Sequence, residues 1–370
     1  MRNSKITWAM LAGVVLALIA GIGVAVAINR EPSEPAAAPA VSAPASTLPV
    51  TPSATVSASP APSPGADIKG PLDLVLVGVD TRVSIPGWEP HADTIMLLHV
   101  DAGLKSGYLY SLPRDLRVDI PAYKKAGFGG GRYKITEAMS RGSRIPGSKK
   151  KSVQQGYELL TRTLSGYTGI KTFQGGAILN FRGMEKLVDA LGGIDMVIDQ
   201  RVESRHRKPD GSLRPLARGG GDFTGPQAVY QPGKRRLVGW QAIDYARQRY
   251  GLPNGDYDRQ RHHRQLVEAI LATAMKQGLQ DAAKLGRVID ALGKSLVYVG
   301  GRSPFEYAYA LRNLTPATIT TVSLPGGGVG RGGGYLGEQL KPEGTGFLKA
   351  LVRNRAAAYL ADHPKLVDKG

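Results

Sequence analysis

The 370-residue chain carries 48 Lys and Arg against 30 Asp and Glu, a formal net charge of +18, and has no cysteine. The missing thiols exclude disulfides, thiolate zinc sites, a cysteine nucleophile and a lipidated cysteine. So large a positive charge suits an anionic envelope polymer or lipid headgroups, and with no recognised nucleic-acid motif beside it, nucleic acid is not an expected partner.

Residues 6–28 are uncharged and mostly apolar, and as a helix would reach roughly 35 Å, enough to cross a bilayer. Arg2 and Lys5 precede this run, so the positive-inside rule places residues 1–5 in the cytoplasm and the rest outside. Ala25-Val26-Ala27 resembles a signal-peptidase site, but the apolar run is longer than a signal peptide requires, and a retained single-pass anchor in the cell membrane is expected. Residues 29–67 are rich in Pro, Ala and Ser and lack the large side chains needed to bury a core, so they read as a disordered extracytoplasmic linker. About 300 residues remain, enough for one large domain: 68–362 is assigned to it and 363–370 to a C-terminal tail.

Within the domain, residues 74–79, 94–100 and 108–112 read as strands. Asp80 closes the first, Asp93 opens the second and Arg114 follows the third. An antiparallel meander would gather all three charged residues at one edge of the sheet. A Gly-rich loop at 127–131 leads to a short helix over 134–139 carrying Lys134. Val153, Tyr157, Leu160 and Leu164 have the spacing of an amphipathic helix. Residues 177–179 read as a strand, 184–191 as a helix stopped by Gly192-Gly193, and 194–198 as another strand. Residues 201–233 are polar, weakly patterned and rich in Gly, Pro and Arg, which predicts a long mobile loop. Helices follow at 239–248 and 257–277, a strand at 318–324 and a helix at 347–360. The alternation of strands and helices indicates an α/β architecture.

Several residues could carry chemistry. Asp80 and Asp93 are hard oxygen ligands suited to Mg²⁺, which takes one or two carboxylates and completes its shell with water and substrate phosphates; separate salt bridges to arginines would use them equally well. Arg114, beside Asp115, could form a local turn ion pair or hold a phosphate. Arg247 and Arg249, two residues apart, face opposite ways in a regular helix and converge only if the helix ends there, which Gly251 and Pro253 permit. Asp256 is a natural N-cap for the following helix. Arg259, His263, Leu266 and Ile270 fall on one stripe, so Arg259 and His263 should face the core. A buried guanidinium needs a counter-anion, supplied internally by Asp80 or Asp93 or externally by a bound phosphate. Carboxylates for a cation and arginines for phosphate together indicate phosphoryl chemistry. The histidines show no HExxH spacing, and adjacent His262 and His263 cannot both face one ion. No GxSxG elbow is present, and the stretch 326–334, lacking the P-loop lysine and serine, reads as a flexible loop.

The chain resembles the LytR-CpsA-Psr family of bacterial cell-envelope transferases. The resemblance rests on Val77-Gly78-Val79-Asp80-Thr81-Arg82, Ala92-Asp93-Thr94-Ile95-Met96-Leu97, Ser111-Leu112-Pro113-Arg114-Asp115, Lys134-Ile135-Thr136-Glu137-Ala138, Asn180-Phe181-Arg182-Gly183 and Val188-Asp189-Ala190-Leu191-Gly192-Gly193-Ile194. Tyr245-Ala246-Arg247-Gln248-Arg249 and Asp256-Tyr257-Asp258-Arg259-Gln260-Arg261 complete the set, in order, across roughly residues 72–324. It implies an α-β-α sandwich with a central mixed sheet and an apolar groove for lipid. It also implies an enzyme that moves a glycopolymer, such as teichoic acid or arabinogalactan, from a polyprenyl-pyrophosphate carrier onto peptidoglycan through a phosphodiester. By position, Asp80 and Asp93 correspond to the Mg²⁺ carboxylates, Arg82, Arg114, Arg182, Arg247, Arg249 and Arg259 to pyrophosphate contacts, and Asp256 to an acidic site position whose role as base or cap stays open. The chain departs from the pattern at His91, where an arginine is common, and at His262-His263, where arginine-glutamine is usual. A polyprenyl-pyrophosphate-polymer pyrophosphatase and a non-catalytic binding protein for polyprenyl phosphate or wall polymer are the alternative readings.

Overall fold

Leu72–Asp80 (β1) is an almost continuous apolar run, the composition of a strand covered on both faces. In the computed structural model, which describes residues 64–80, 88–277, 286, 288, 290–331 and 334–368, β1 lies inside a six-stranded sheet. The expected membrane span at 6–28, most of the linker and Arg82 lie outside the described residues. Among the described residues no helix is long and apolar enough to cross a membrane.

The sheet contains His91–Val100 (β2), Gly107–Leu112 (β3), Gly175–Asn180 (β6), Leu296–Gly300 (β11) and Ile319–Val322 (β12), in the order β11-β6-β1-β2-β3-β12. β1, β2 and β3 form the expected antiparallel meander. β6 runs parallel to β1, and β12 runs parallel to β3, so the sheet is mixed. Successive side chains of β1 point to opposite faces. Val75, Val77 and Val79 pack with Leu159, Leu160 and Leu164 of Val153–Thr168 (α2), Met139 of Thr136–Gly142 (α1) and Phe347 of Pro342–Leu351 (α7). On the other face, Leu76 meets a cluster built from Phe181–Ala190 (α3), Gly239–Arg247 (α4) and Asp256–Lys276 (α5). Helices on both faces of a mixed sheet make the α-β-α layering that was expected.

Several local expectations are corrected. Lys134 ends a strand, Gly131–Lys134 (β5), paired with Arg117–Ile120 (β4), and the helix begins only at Thr136. α3 begins at Phe181, earlier than expected, because the Asn180 carboxamide oxygen accepts from the Gly183 N–H at 2.8 Å and so caps the helix. Residues 201–233 are organised: beyond Ile194–Ile198 (β7), Val202–Glu203 (β8) pairs with Val229–Tyr230 (β9), and Gly233–Leu237 (β10) returns to β7. The stretch 326–334 is no free loop, because Gly326–Arg331 (β13) and Gly334–Leu340 (β14) form an antiparallel hairpin. The expected helix over 347–360 is two helices, α7 and Ala356–Asp362 (α8), broken where Asn354 adopts φ +55°. β11 and Pro304–Ala310 (α6) are further elements that the sequence pattern does not mark. The residues assigned to a tail are stitched to the sheet as far as they are described: Asp368 N–H donates to Thr321 O at 2.9 Å, and the buried Arg264 guanidinium pairs with the Asp368 carboxylate at 2.6 Å.

Candidate anion-binding active site

The site starts from an irregularity in the central strands. Gly78 pairs with Thr94, but Val79 pairs with Ala92, leaving Asp93 as the extra residue of a β-bulge. A bulge bends its strand and re-aims a side chain. The close approach requires glycine on the partner strand, since a Cβ at Gly78 would come within 2.9 Å of the Thr94 Cβ. Asp93 thereby reaches the cavity at the edge of the sheet, where Arg114, just beyond β3, donates from Nη1 to its Oδ1 at 2.5 Å. The backbone of Asp80 sits opposite His91 at this same edge, but its side chain lies outside the described residues.

α4 supplies the next cations. The helix ends at Arg247, and Gln248 turns to extended backbone while its Nε2 donates to the Asp244 carbonyl at 3.0 Å. That break brings Arg247 and Arg249 to one cavity, the only arrangement in which residues two apart could converge. The Arg247 guanidinium lies 3.9 Å from the centre of the Phe181 ring, and Arg249 donates from Nη2 to the Tyr250 hydroxyl at 2.7 Å.

α5 adds the buried pair foreseen from its apolar stripe. Arg259 is only 6% exposed and pairs through Nη2 with the Asp256 carboxylate, while its buried Nε–H has no acceptor. Burial lowers its pKa, with Arg114 and Arg249 adding repulsion and Asp256 and Asp93 opposing it; a guanidinium nevertheless stays charged. His263 is buried, with Nδ1 and the Thr94 Oγ1 hydrogen-bonded at 2.9 Å. Desolvation, then the nearby Arg259, pushes its pKa well below the ordinary imidazole value, so the ring is neutral at neutral pH. Burial works against the charge on Arg114 too, but Asp93, Asp115 and Asp256 outweigh it and raise its pKa.

Among the described residues, the wall of the resulting cavity, about 510 Å³, has five guanidiniums, from Arg114, Arg205, Arg247, Arg249 and Arg259, against one carboxylate, that of Asp93. Such an imbalance in a partly shielded cleft attracts a multiply charged anion. Phe181, Arg247 and His263 also border a narrow apolar cavity of about 40 Å³ between the sheet and α3, α4 and α5. Polar and apolar compartments are therefore contiguous, the arrangement an anion with an apolar tail requires.

Not every candidate converges. Arg182 is exposed on α3 and does not line the cavity. Asp256 is the first residue of α5 and serves as the counter-ion of Arg259, with its carboxylate outside the cavity wall. Arg261 turns to Asp199 and Asp258, each at 2.5 Å, and His262 stacks on Tyr245 at 4.3 Å, so the departure at His262 points away from the cavity. His91 does line it, donating from Nδ1 to Glu89 O at 2.8 Å. Arg205, His206 and Phe223 also line it, and the sequence reading missed them because their segment has no periodicity; its arginine content was the available signal. As for a metal, no group of three or more His, Asp or Glu side chains among the described residues could hold one. The carboxylate of Asp93 fits Mg²⁺, which takes one or two carboxylates and leaves the rest of its shell to water and phosphate.

Comparison with known proteins gives a consistent picture. The model of the LytR_cpsA_psr family matches residues 41–342. Cell wall biosynthesis protein LcpA of Corynebacterium glutamicum is 27% identical over 279 residues, 69% of this chain and 50% of that protein. Polyisoprenyl-teichoic acid–peptidoglycan teichoic acid transferase TagU of Enterococcus faecalis is 30% identical over 203 residues, 55% of this chain and 54% of that protein. The chain spans about half the length of the curated relatives it matches. Among solved structures, protein gbs0355 of Streptococcus agalactiae superposes with a TM-score of 0.58 at 22% identity, covering 78% of this chain and 88% of that one. TagT bound to LIIa-WTA superposes with a TM-score of 0.55 at 20% identity, covering 80% and 92%. At such identities the superpositions establish the shared fold.

Proposed function

This chain belongs to the LytR-CpsA-Psr family, and from that premise we propose that it is a membrane-anchored, Mg²⁺-dependent phosphotransferase that moves a glycopolymer from a polyprenyl-pyrophosphate carrier onto peptidoglycan. The observation that carries the proposal is Arg259: a buried guanidinium with one edge committed to Asp256 and an Nε–H left without an acceptor beside four further arginines. Leaving a buried charged donor unmet is costly, so the site calls for an external anion. The transferase named for TagU supports the substrate class, and the apolar cavity behind the arginines supports a lipid-bearing anion.

In the proposed reaction an acceptor sugar hydroxyl attacks the phosphorus nearer the polymer. The bond from that phosphorus to the bridging oxygen breaks, its electron pair leaves with polyprenyl phosphate, and the hydroxyl proton passes to solvent as the phosphodiester forms. The transition state of such a transfer is loose, so positioning and charge stabilisation dominate. Arg114, Arg247, Arg249 and Arg259 would hold the diphosphate, each contributing about 1.5–3 kcal/mol when shielded from water. Asp80 and Asp93 would hold Mg²⁺, whose chemistry is to neutralise charge on the phosphate oxygens.

The test incubates the full chain in vesicles with a synthetic polyprenyl-pyrophosphate oligosaccharide and wall fragments, and follows products by mass spectrometry. A linked oligosaccharide-phosphate-glycan adduct that disappears with EDTA and returns with Mg²⁺ is expected. Free oligosaccharide phosphate without adduct would reassign the protein as a pyrophosphatase. Donor binding without turnover, unchanged in Asp80→Ala, would make it a binding protein.

A further inference from the structure

Residues 201–233 leave the domain body as a braced excursion. Arg207 bridges to Leu213 and Leu216 bridges to Phe223, forming two small hairpins. Between them the Arg214 guanidinium donates to four main-chain carbonyls, those of Arg205 at 2.9 Å, Gly225 at 3.0 Å, Phe223 at 3.1 Å and Ser204 at 3.4 Å. Gly211, at φ +84°, lies so close to Trp240 that a Cβ would approach its ring within 2.8 Å. The rings of His206 and Phe223 meet edge to face at 4.8 Å, and both border the arginine-lined cavity. A segment tied down this way has a definite outer surface.

That surface displays Leu213 and Leu216, 67% and 63% exposed, the two most exposed large apolar side chains among the described residues. Around them the chain is basic, with six Arg and Lys in residues 201–233 against three Asp and Glu; Arg214 is spent on the clasp and Arg205 on the cavity wall, and the other four are Arg201, Arg207, Lys208 and Arg218. Lys234, Arg235 and Arg236 follow on β10, all exposed. Exposed leucines on a basic, rigid platform are what an anionic bilayer surface takes up: apolar side chains enter the headgroup boundary while cations meet lipid phosphates.

We propose that this excursion is a membrane-docking wedge, with Leu213 and Leu216 inserted into an anionic lipid surface so that the mouth of the cavity, shared through Arg205, His206 and Phe223, opens at the bilayer. The inference rests on the reading that the substrate is lipid-linked. The tether gives it a geometric reason. β1 is entered from the linker at one edge of the sheet and carries Asp80 to the other, its nine residues spanning about 30 Å. A domain standing upright on its tether would hold the cavity that far from the lipid. The turn at 64–67 is held to the domain, with Asp67 paired to Arg302; a Pro-rich spacer the length of residues 29–63 would, if extended at about 3.1 Å per residue, be ample for the domain to turn over and rest on its wedge.

The chain has no cysteine, so single thiols can be placed cleanly. Full-length Leu213→Cys, Leu216→Cys and Lys105→Cys, the last on the exposed β2–β3 turn at the tether edge, are labelled with an environment-sensitive fluorophore. They are then reconstituted into phosphatidylglycerol-containing vesicles bearing nitroxide lipids. Quenching and a blue shift at 213 and 216 but not at 105 are expected, weakening in pure phosphatidylcholine. Quenching at 105 alone, or at no position, overturns the proposal. In activity, Leu213→Glu/Leu216→Glu should lower transfer from a vesicle-embedded long-chain donor by about tenfold or more, the loss of a local effective concentration, and spare a short-chain water-soluble donor. An equal loss on both donors, or on neither, also overturns it. If the unmodified chain turns over neither donor, the proposed function fails, while the quenching pattern still decides the docking.

Discussion

Arg259 has one guanidinium and two demands upon it. Nη2 holds Asp256 at the first turn of α5, while the buried Nε–H has no acceptor, and the residue lines the same cavity as the other arginines. Arg259→Lys keeps a charge but not a planar fork able to serve both partners. We expect Arg259→Lys and Arg259→Ala each to lower kcat/KM by about 100-fold, the equivalent of losing one shielded charge-assisted contact, in steady-state transfer assays. His263 makes a different prediction. Its folded-state pKa lies well below the ordinary value because the ring is buried beside Arg259. An unfolded imidazole titrates near about 6.5, so below that pH the unfolded chain takes up a proton that the folded chain refuses. The contribution of His263 is therefore complete above this value and is lost as pH falls towards the folded pKa. Melting temperature followed from pH 8 to 5 should fall, and His263→Gln should flatten that fall.

Among the elements, two irregularities matter more than any regular stretch. The bulge that delivers Asp93 needs the close passage of Gly78 against Thr94, and Thr94 in turn holds His263. Gly78→Ala forces a Cβ into 2.9 Å contact, an overpacking that costs about 1–3 kcal/mol. It should lower the melting temperature and weaken pyrophosphate binding measured by calorimetry, whereas Gly129→Ala, with open space at its Cβ, should leave both unchanged. The second irregularity is the break between α7 and α8 at Asn354, φ +55°, a backbone state that costs an ordinary side chain about 1–2 kcal/mol. Asn354→Gly should be nearly neutral in thermal denaturation and Asn354→Val clearly destabilising. Transfer activity per folded molecule should not change, because no residue of α7, α8 or the break lines the cavity.

At the scale of the whole molecule, the excess of cations is focused as well as large. Among the described residues, five arginines drawn from the β3–β4 turn, the 201–233 excursion, the end of α4 and α5 meet around one carboxylate. Affinity built this way is Coulombic and screened by salt, with a Debye length of about 10 Å at 0.1 M and about 3 Å at 1 M. Calorimetric affinity for inorganic pyrophosphate should fall by about tenfold or more between low and high salt. Binding of a neutral disaccharide should not follow it, and salt-independent pyrophosphate binding would count against the cavity as the anion site.

The strand meander, the break after Arg247 and the core-facing stripe through Arg259 and His263 were all legible in the chain, because periodicity and stop signals are local properties. The family was legible too, from motifs whose order and spacing persist across roughly 250 residues. Other features depend on contacts between segments distant in sequence, which local pattern cannot encode. Sequence reading made the Gly-rich 326–334 stretch and the Arg-rich 201–233 stretch loops, but pairing with β14 turns the first into a hairpin and the Arg214 clasp gives the second its shape. Residue type could not distinguish Arg182, exposed on α3, from Arg247, drawn into the cavity, nor Asp256, spent on Arg259, from Asp93, lifted out by a bulge. A side chain's partner is fixed by packing in three dimensions, and only the assembled sheet and helices decide which charges share a cavity.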